Sequence, residues 1–168
     1  MASETSTTTV IPLFYRLFFL YIEPISALVG SYYAAGKPAE YLAYLTPAST
    51  TASLQPPPIS TLISLFQLSN LYLLFALNEH LVLSATNDRR TWQRLLFCLL
   101  VADIGHLATM WPLALEKGVS EVYAQFWRWT AMEWGSIGFV YVGAMMRTSF
   151  FAGVGLRNLG SGEKGKTS

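Results

Sequence analysis

Charged side chains are scarce in this sequence. Asp, Glu, Lys and Arg make up 12% of the 168 residues, about half of the roughly 25% that is usual in soluble proteins. Apolar residues account for 52% of the chain, so the charges are too few to cover the surface of a water-soluble globule. The composition therefore predicts a protein whose partner and solvent is the lipid bilayer, built as a single domain over residues 1–168.

The sequence also lacks an excess of positive or negative charge, and it contains almost no cysteine. The net charge is +1, which excludes the strongly basic surface of a nucleic-acid-binding protein. Cys98 is the single cysteine, which excludes a disulfide framework and a zinc site made of thiolates. A phosphate-loop string at 160–167 lacks the strand and helix that such a loop needs. We therefore expect no nucleotide, no metal and no other cofactor.

What the chain does contain is four long apolar runs. They predict transmembrane helices at about 11–33, 59–84, 92–115 and 126–151, each long enough to cross a hydrocarbon core of about 30 Å. Residues 35–58, rich in Pro, Ser and Thr, predict a loop, and the other connections are short. Short connections favour antiparallel neighbours. The predicted fold class is therefore all-α, an integral membrane four-helix up-down bundle.

Basic residues predict how the bundle is oriented. The side that holds both termini and the 85–94 turn carries Arg89, Arg90, Arg94, Arg157, Lys164 and Lys166, and the opposite side carries Lys37, Lys117 and Arg128. The positive-inside rule therefore places both termini, with the tail 157–168, in the cytosol. The two lysines of that tail resemble the dilysine signal of endoplasmic reticulum membrane proteins, which predicts that membrane as the location.

Ionisable side chains interrupt three of the apolar runs. They are Glu23 in the first run, Asp103 and His106 in the third, and Glu133 in the fourth. Counted at about 1.5 Å of rise per residue, all of them come to nearly the same depth. Asp103 and His106 are three residues apart and therefore share a helix face. A charge at that depth costs about 2.5–3.5 kcal/mol on insertion scales, so such residues indicate a functional site.

A group of carboxyls in a low-dielectric interior has a definite chemistry. Crowded carboxyls take up protons, so the group holds at least one acid and one base, which general acid–base catalysis requires. The alternative is a network of ion pairs that only joins the helices, and we favour the first interpretation. Regular ligand spacing for a metal is absent. The side chains expected to bind substrate are Trp134, Asn70, Tyr141, Glu79 and Asn78. Nearer the cytosol, a structural pair between Arg16 and Glu79 is expected.

Four short motifs give the chain a family likeness. They are Tyr-Ile-Glu-Pro at 21–24, Leu-Asn-Glu at 77–79, Ala-Asp-Ile-Gly-His at 102–106 and Glu-Trp-Gly-Ser-Ile-Gly-Phe-Val-Tyr at 133–141. With the order of the apolar runs, over most of residues 11–157, the chain resembles a family of small four-helix fungal membrane proteins. That family includes the epoxide hydrolases of aurovertin- and citreoviridin-type polyketide pathways. The chain is more distantly similar to the emopamil-binding, sterol-isomerase-like membrane proteins.

The resemblance implies a cofactor-independent epoxide hydrolase or cyclase that acts on a lipophilic polyene-type epoxide in secondary metabolite biosynthesis. Epoxide opening needs a base and an acid, and we assign the base to Asp103, oriented by His106, and the acid to Glu133 or Glu23. Two other functions stay open at this point, a sterol-type isomerase and a non-catalytic protein that binds a sterol or lipid. Homodimer formation stays open as well.

Overall fold

The computed structural model describes residues 9–45 and 57–158, and most of them are helical. The first long segment consists of helix α1 (Leu13–Leu17), a π-helical turn (Phe18–Ile22) and helix α2 (Glu23–Gly36) in unbroken succession. A separate short helix, α3 (Pro38–Leu45), follows it. The loop predicted for 35–58 is therefore wrong over α3, because a proline fits the first turn of a helix. Residues 46–56 lie outside the described part of the chain.

The second and third segments follow the predicted apolar runs. Helix α4 spans Ile59–Ser84, as predicted. Helix α5 spans Arg89–Thr109 and α6 spans Trp111–Lys117, separated by a turn at Met110. The third run thus extends three residues further towards the N-terminus than predicted. The carboxylate of Asp88 caps α5 by accepting a hydrogen bond from the backbone N–H of Thr91, which satisfies one free donor of the first turn.

The fourth segment begins later than predicted. Helix α7 (Val119–Tyr123) and a 3₁₀ turn (Phe126–Arg128) precede it. Helix α8 (Ala131–Glu133), a π-helical turn (Trp134–Gly138) and helix α9 (Phe139–Phe151) then run on without a break. The predicted start at residue 126 is wrong, because Thr130 and Glu133 form a capping box that fixes the helix start at 131.

Three helical stretches are long and apolar enough to cross a membrane: Leu13–Gly36, Ile59–Ser84 and Arg89–Lys117. Large apolar side chains remain exposed along all of them, for example Leu13, Ile63 and Phe97. Buried groups, by contrast, include charged ones. Exposed apolar and buried charged side chains are the arrangement expected of helices surrounded by lipid. The protein is therefore all-α and has the features of an integral membrane protein.

Contacts between the segments show their relative directions. The hydroxyl of Ser31 donates to the Ser69 carbonyl, while His80 Nδ1 donates to the Leu20 carbonyl at 2.7 Å, so the first and second segments are antiparallel. Leu20 has a carbonyl to spare because Pro24, four residues on, carries no N–H. The rings of Tyr15 and Phe150, from the first and fourth segments, meet edge to face. Close to them, two short strands, Thr9–Val10 and Arg157–Asn158, form an antiparallel pair.

Six fully buried side chains fill the end of the molecule near this pairing. They are Tyr15, Phe19, Leu83, Trp92, Leu96 and Phe150, and we call this region the closed end. The Trp92 indole stacks on the Phe150 ring with centroids 5.8 Å apart and donates its N–H to the Thr86 carbonyl. Its polar atom is thus satisfied, which lets a large ring be buried completely.

Candidate active site

An arginine from the fourth segment lies at the centre of the polar interior. Arg147 donates from Nη1 to Asp103 Oδ2 at 2.7 Å and from Nη2 to Glu23 Oε1 at 2.6 Å. Its Nη2 is also 3.8 Å from Glu79 Oε1. The four residues come from four different segments, and we call them the Arg147 cluster. A single guanidinium therefore connects all four segments, because its donors are arranged as a planar fork.

The Arg147 cluster is almost completely shielded from solvent. The side chains of Arg147 and Glu79 have no exposed surface, and those of Glu23 and Asp103 are 6% and 9% exposed. Both carboxyl oxygens of Glu79 and Oε2 of Glu23 lack a hydrogen-bond partner within the described residues. Three ionised carboxylates around one guanidinium would leave an excess of negative charge in a medium that solvates it poorly. A proton on one carboxyl reduces that excess, so the cluster favours an acid beside a base.

Two neighbours hold the guanidinium in place. Its central carbon lies 5.6 Å from the centroid of the Phe19 ring, in cation–π contact. On its own helix, Gly143 provides the necessary room. A Cβ at Gly143 would lie 2.6 Å from Arg147 Nη1 and 3.3 Å from Glu23 Oε1. The position of Arg147 therefore depends on a residue without a side chain one helical turn away.

His106 lies one turn beyond Asp103 and faces the same segment. Its Nε2 is 3.3 Å from Ser136 Oγ, whereas Asp103 meets Arg147, so both side chains point towards the fourth segment. The predicted shared face is confirmed. The predicted orientation of Asp103 by His106 has no support in the contacts, because no hydrogen bond joins the two within residues 9–45 and 57–158.

A cavity of about 620 Å³ opens beside His106. Its lining consists of apolar side chains with a few polar ones: Tyr41, Leu45, Leu65, Leu68, Tyr72, His106, Thr109, Met110, Pro112, Leu113, Glu116 and Ser136. We call this cavity and its lining the open end. Its size and its mixture of apolar walls and few polar groups are typical of sites for small lipophilic ligands.

Glu133 does not belong to the Arg147 cluster, and the expectation that it lies with Glu23 and Asp103 is wrong. Its carboxylate accepts hydrogen bonds from the Thr130 backbone N–H at 2.8 Å and from Lys117 Nζ at 3.3 Å. The cause is the late helix start, which puts Glu133 in the first turn, where a carboxylate completes a capping box. We therefore no longer assign the acid to Glu133.

The residues predicted to bind substrate do not line the cavity of the open end. Glu79 belongs to the Arg147 cluster, and Asn70 and Asn78 are exposed on α4. Trp134 and Tyr141 line a second, smaller pocket of about 240 Å³. The Arg16–Glu79 pair is also absent from the structure, since Arg16 donates to Asn87 Oδ1 at 2.7 Å instead.

Sequence reasoning missed Arg147, the residue that organises the site. A signal was present, because Arg147 is a lone basic residue in the last part of an apolar run, and a basic residue inside such a run requires an acidic partner. Glu79 was recognised but placed too near the membrane surface. Within the described residues, no group of three or more His, Cys, Asp or Glu side chains is arranged to hold a metal ion.

One known protein family matches nearly the whole chain. A family described as "Domain of unknown function (DUF7704)" matches residues 8–157. The chain belongs to the DUF7704 family. No match was found among curated proteins or among solved structures. The part that matches DUF7704 includes every member of the Arg147 cluster and every residue that lines the cavity.

The chemistry available to this DUF7704 chain follows from the Arg147 cluster. A guanidinium that donates to a carboxylate favours its ionised form, which can act as a base. A carboxyl nearby that holds a proton can act as an acid. Asp103 and Glu79 fit these two descriptions, since one accepts a short bond from Arg147 and the other has no hydrogen-bond partner among the described residues. The cluster thus has the groups that general acid–base catalysis needs.

Proposed function

We propose that this DUF7704 protein is an integral membrane four-helix up-down bundle whose fourth span is the segment 131–151. Antiparallel contacts between successive segments support the up-down order, since Ser31 meets Ser69 and Trp92 meets Phe150. The distribution of basic residues supports cytosolic termini, and the resemblance of the two tail lysines to a dilysine signal supports a location in the endoplasmic reticulum. The tail residues 159–168 on which the second of these depends lie outside the described part of the chain.

We propose further that the protein is a cofactor-independent epoxide hydrolase or cyclase that acts on a lipophilic polyene-type epoxide. The observation that supports this most directly is the position of Arg147 between the carboxyls of Asp103 and Glu23, inside apolar helices, with Asp103 one turn from His106 in the lining of a ligand-sized cavity. The likeness to small fungal membrane proteins of polyketide pathways agrees with this function.

In the proposed reaction Asp103 is the base. Its carboxylate takes a proton from a water molecule, or from a hydroxyl of the substrate in the cyclase reaction. The oxygen that loses this proton attacks one carbon of the epoxide, and the bond between that carbon and the ring oxygen breaks. The ring oxygen takes a proton from Glu79, which accepts no hydrogen bond from Arg147 among the described residues. Hydrolysis therefore consumes one water, cyclisation consumes none, and a proton returns from Asp103 to the acid before the next turnover.

The open end supplies the binding site in this proposal. The apolar part of its lining, which includes Leu65, Leu68 and Leu113, suits a long hydrocarbon. His106 and Ser136 face each other at the wall nearest Asp103 and offer hydrogen bonds to an oxygenated part of the substrate. His106 is therefore assigned to substrate binding, and it no longer needs to orient the base.

The test is turnover of a synthetic conjugated polyene that carries one epoxide, in ¹⁸O-labelled water, by the full chain in maltoside detergent. The wild type is expected to form a labelled diol or a cyclic ether. Asp103→Asn, which keeps the shape of the side chain and loses the base, is expected to lower the rate by about 10²–10⁴-fold. Glu40→Gln is the matched control, because Glu40 is an exposed carboxylate whose one ionic partner among the described residues is Lys37.

A second candidate function, a non-catalytic protein that binds a sterol or lipid, is favoured by one observation. No member of the Arg147 cluster lines the cavity of the open end, so the cluster would then serve only to join the helices. In that case the wild type binds a sterol without converting it or the epoxide. Asp103→Asn then lowers the thermal stability and leaves sterol binding intact. This result would replace the enzyme proposal.

A further inference from the structure

The second pocket is built mainly of aromatic rings. Trp134 forms its base, with the Trp129 ring at 74° and a centroid distance of 5.4 Å, and the Phe126 ring at 70° and 6.5 Å. The Tyr141 ring stacks beside Trp129 at 6.1 Å. Two rings thus stand nearly upright on a third and enclose a corner of about 240 Å³. We call these four residues, with Tyr123, the aromatic box.

The rings of the aromatic box are fixed at their polar edges. The Trp129 indole donates its N–H to the Glu121 carbonyl at 3.1 Å, and the Tyr141 hydroxyl donates to the Tyr123 carbonyl at 3.0 Å. The Trp134 indole lies directly on Gly138, where a Cβ would overlap the ring. These bonds involve only the edges of the rings, and the pocket lies against the ring surface that the ring–ring contacts leave uncovered. Aromatic faces carry the negative part of the ring quadrupole, which attracts cations.

The pocket has no ionic partner for a ligand in its own lining. Its lining residues are Tyr123, Phe126, Trp129, Trp134, Gly138, Tyr141, Val142 and Met145, none of them charged. The nearby turn does carry Arg128, but its guanidinium pairs with Glu121 at 3.2 Å. A primary ammonium needs hydrogen-bond acceptors in such a site. A quaternary ammonium has no N–H to satisfy, so it suits an aromatic lining.

The location of the aromatic box indicates which molecule carries the quaternary ammonium group. The box lies where the connection after Arg89–Lys117 meets the start of the segment 131–151. In the membrane embedding proposed above, both helices reach a membrane surface there, which is the level of lipid headgroups and of tryptophan and tyrosine belts. Choline headgroups are the quaternary ammonium groups of that level.

We propose that the aromatic box binds the trimethylammonium group of a choline lipid headgroup. This inference depends on the membrane embedding proposed above and is independent of the catalytic chemistry. Cation–π attraction from several aromatic faces stabilises one desolvated cation by enough for a roughly tenfold preference in affinity. The preference is over a headgroup of the same charge whose N–H groups need hydrogen-bond acceptors. The site thus selects a lipid by its headgroup, at the side of the membrane opposite the chain termini.

The experiment uses the full chain in nanodiscs that contain equal amounts of phosphatidylcholine and phosphatidylethanolamine with identical acyl chains. Native mass spectrometry counts the lipids that stay bound to the released protein. The wild type is expected to retain phosphatidylcholine about fivefold to tenfold over phosphatidylethanolamine. Trp134→Leu is expected to abolish the preference. Gly138→Ala keeps every ring but displaces the Trp134 indole, and it is expected to reduce the preference strongly.

The matched control is Trp111→Leu, because Trp111 is an exposed tryptophan that lines neither pocket. It is expected to keep the preference, as is Asp103→Asn, so the lipid site and the catalytic proposal fail separately. Equal retention of the two lipids by the wild type would overturn the proposal without reference to any variant. So would loss of the preference in Trp111→Leu. Competition by soluble phosphocholine at the same concentration as the lipid would overturn the assignment to a membrane lipid.

Discussion

The closed end and the open end use the same helices in different ways. At the closed end, rings such as Phe19, Trp92 and Phe150 interlock and leave no exposed surface. At the open end, the third segment turns at Met110 and leaves room beside His106. The Arg147 cluster rests on Phe19 of the closed end and lies one turn from His106. Rigid packing therefore supports the charges from one side, and space for a ligand adjoins them on the other.

Removal of the Arg147 charge, which lies between the closed end and the open end, is expected to have the largest effect on stability. Arg147→Met leaves the carboxyls of Glu23, Glu79 and Asp103 buried without a cation, which costs about 3–5 kcal/mol of stability. The measurement is thermal unfolding in maltoside detergent. Arg128→Met is the control, since its guanidinium is 64% exposed in a surface pair and is worth at most about 1 kcal/mol. Equal losses in the two variants would mean that the Arg147 cluster contributes no more than a surface pair.

Substitutions that enlarge a side chain test whether the closed end is more tightly packed than the open end. Leu83→Trp at the closed end, where Leu83 has no exposed surface, is expected to destabilise the protein by about 1–3 kcal/mol through overpacking. Leu68→Trp, which projects into the cavity of the open end, is expected to change stability by less than about 0.5 kcal/mol. The same variant should lower turnover of the polyene epoxide by filling the binding site. Comparable destabilisation by both substitutions would show that the open end is as tightly packed as the closed end.

Substitution of two glycines distinguishes the need for space beside the Arg147 guanidinium from the effect of glycine on helix stability. Gly143→Ala places a Cβ against the guanidinium of Arg147 and is expected to cost about 1 kcal/mol. Gly105→Ala meets no atom within 4 Å and should gain up to about 1 kcal/mol of helix propensity. Opposite shifts of the unfolding temperature support the requirement for space at Arg147. A gain in both variants contradicts it.

The smallest expected effect concerns the first turn of α5, at the closed end. Hydrogen bonds from the Thr91 hydroxyl and backbone N–H hold the pKa of Asp88 below its ordinary value of 3.8. A lowered folded-state pKa means that this carboxylate stabilises the fold above the ordinary value and loses that contribution as the pH falls through the folded-state pKa. Asp88→Asn keeps a capping side chain that does not titrate.

Unfolding of wild type and Asp88→Asn is therefore compared between pH 7 and strongly acidic pH. The advantage of the wild type is expected to be constant near neutral pH and to shrink below the ordinary aspartate range. All other carboxyls titrate alike in both proteins, so the difference isolates Asp88. A difference that stays constant to the lowest pH would show that the cap does not depend on the charge.

Most of the helical structure was predictable because it follows from local features of the sequence. The helix Ile59–Ser84 matches its predicted bounds, since Pro58 precedes it and a polar turn follows it. The start of the fourth segment was not, because three of the five residues at 126–130 are aromatic and so extend the apolar run towards the N-terminus. Only the capping contact between Thr130 and Glu133 distinguishes the two stretches, and such contacts depend on geometry that composition does not report.

The candidate site was predictable in part. Glu23 and Asp103 were expected to lie together because both come to the same depth along their helices, and both contact Arg147. Depth alone, counted along straight helices, placed Glu133 with them and Glu79 elsewhere. Which side chains face inward depends also on the rotation of each helix about its axis. The π-helical turns at Phe18–Ile22 and Trp134–Gly138 change that rotation, and the sequence does not display them.

The π-helical turn at Phe18–Ile22 also sets how the two parts of the first segment are rotated relative to each other. Such a turn accommodates one residue more than an α-helix would, and Glu23 follows it immediately. If the same residues formed regular α-helix instead, everything before the turn would rotate by about 100° relative to Glu23. Tyr15 and Glu23 then could not face the interior together. One extra residue thus keeps the aromatic and the charged parts of the first helix in phase.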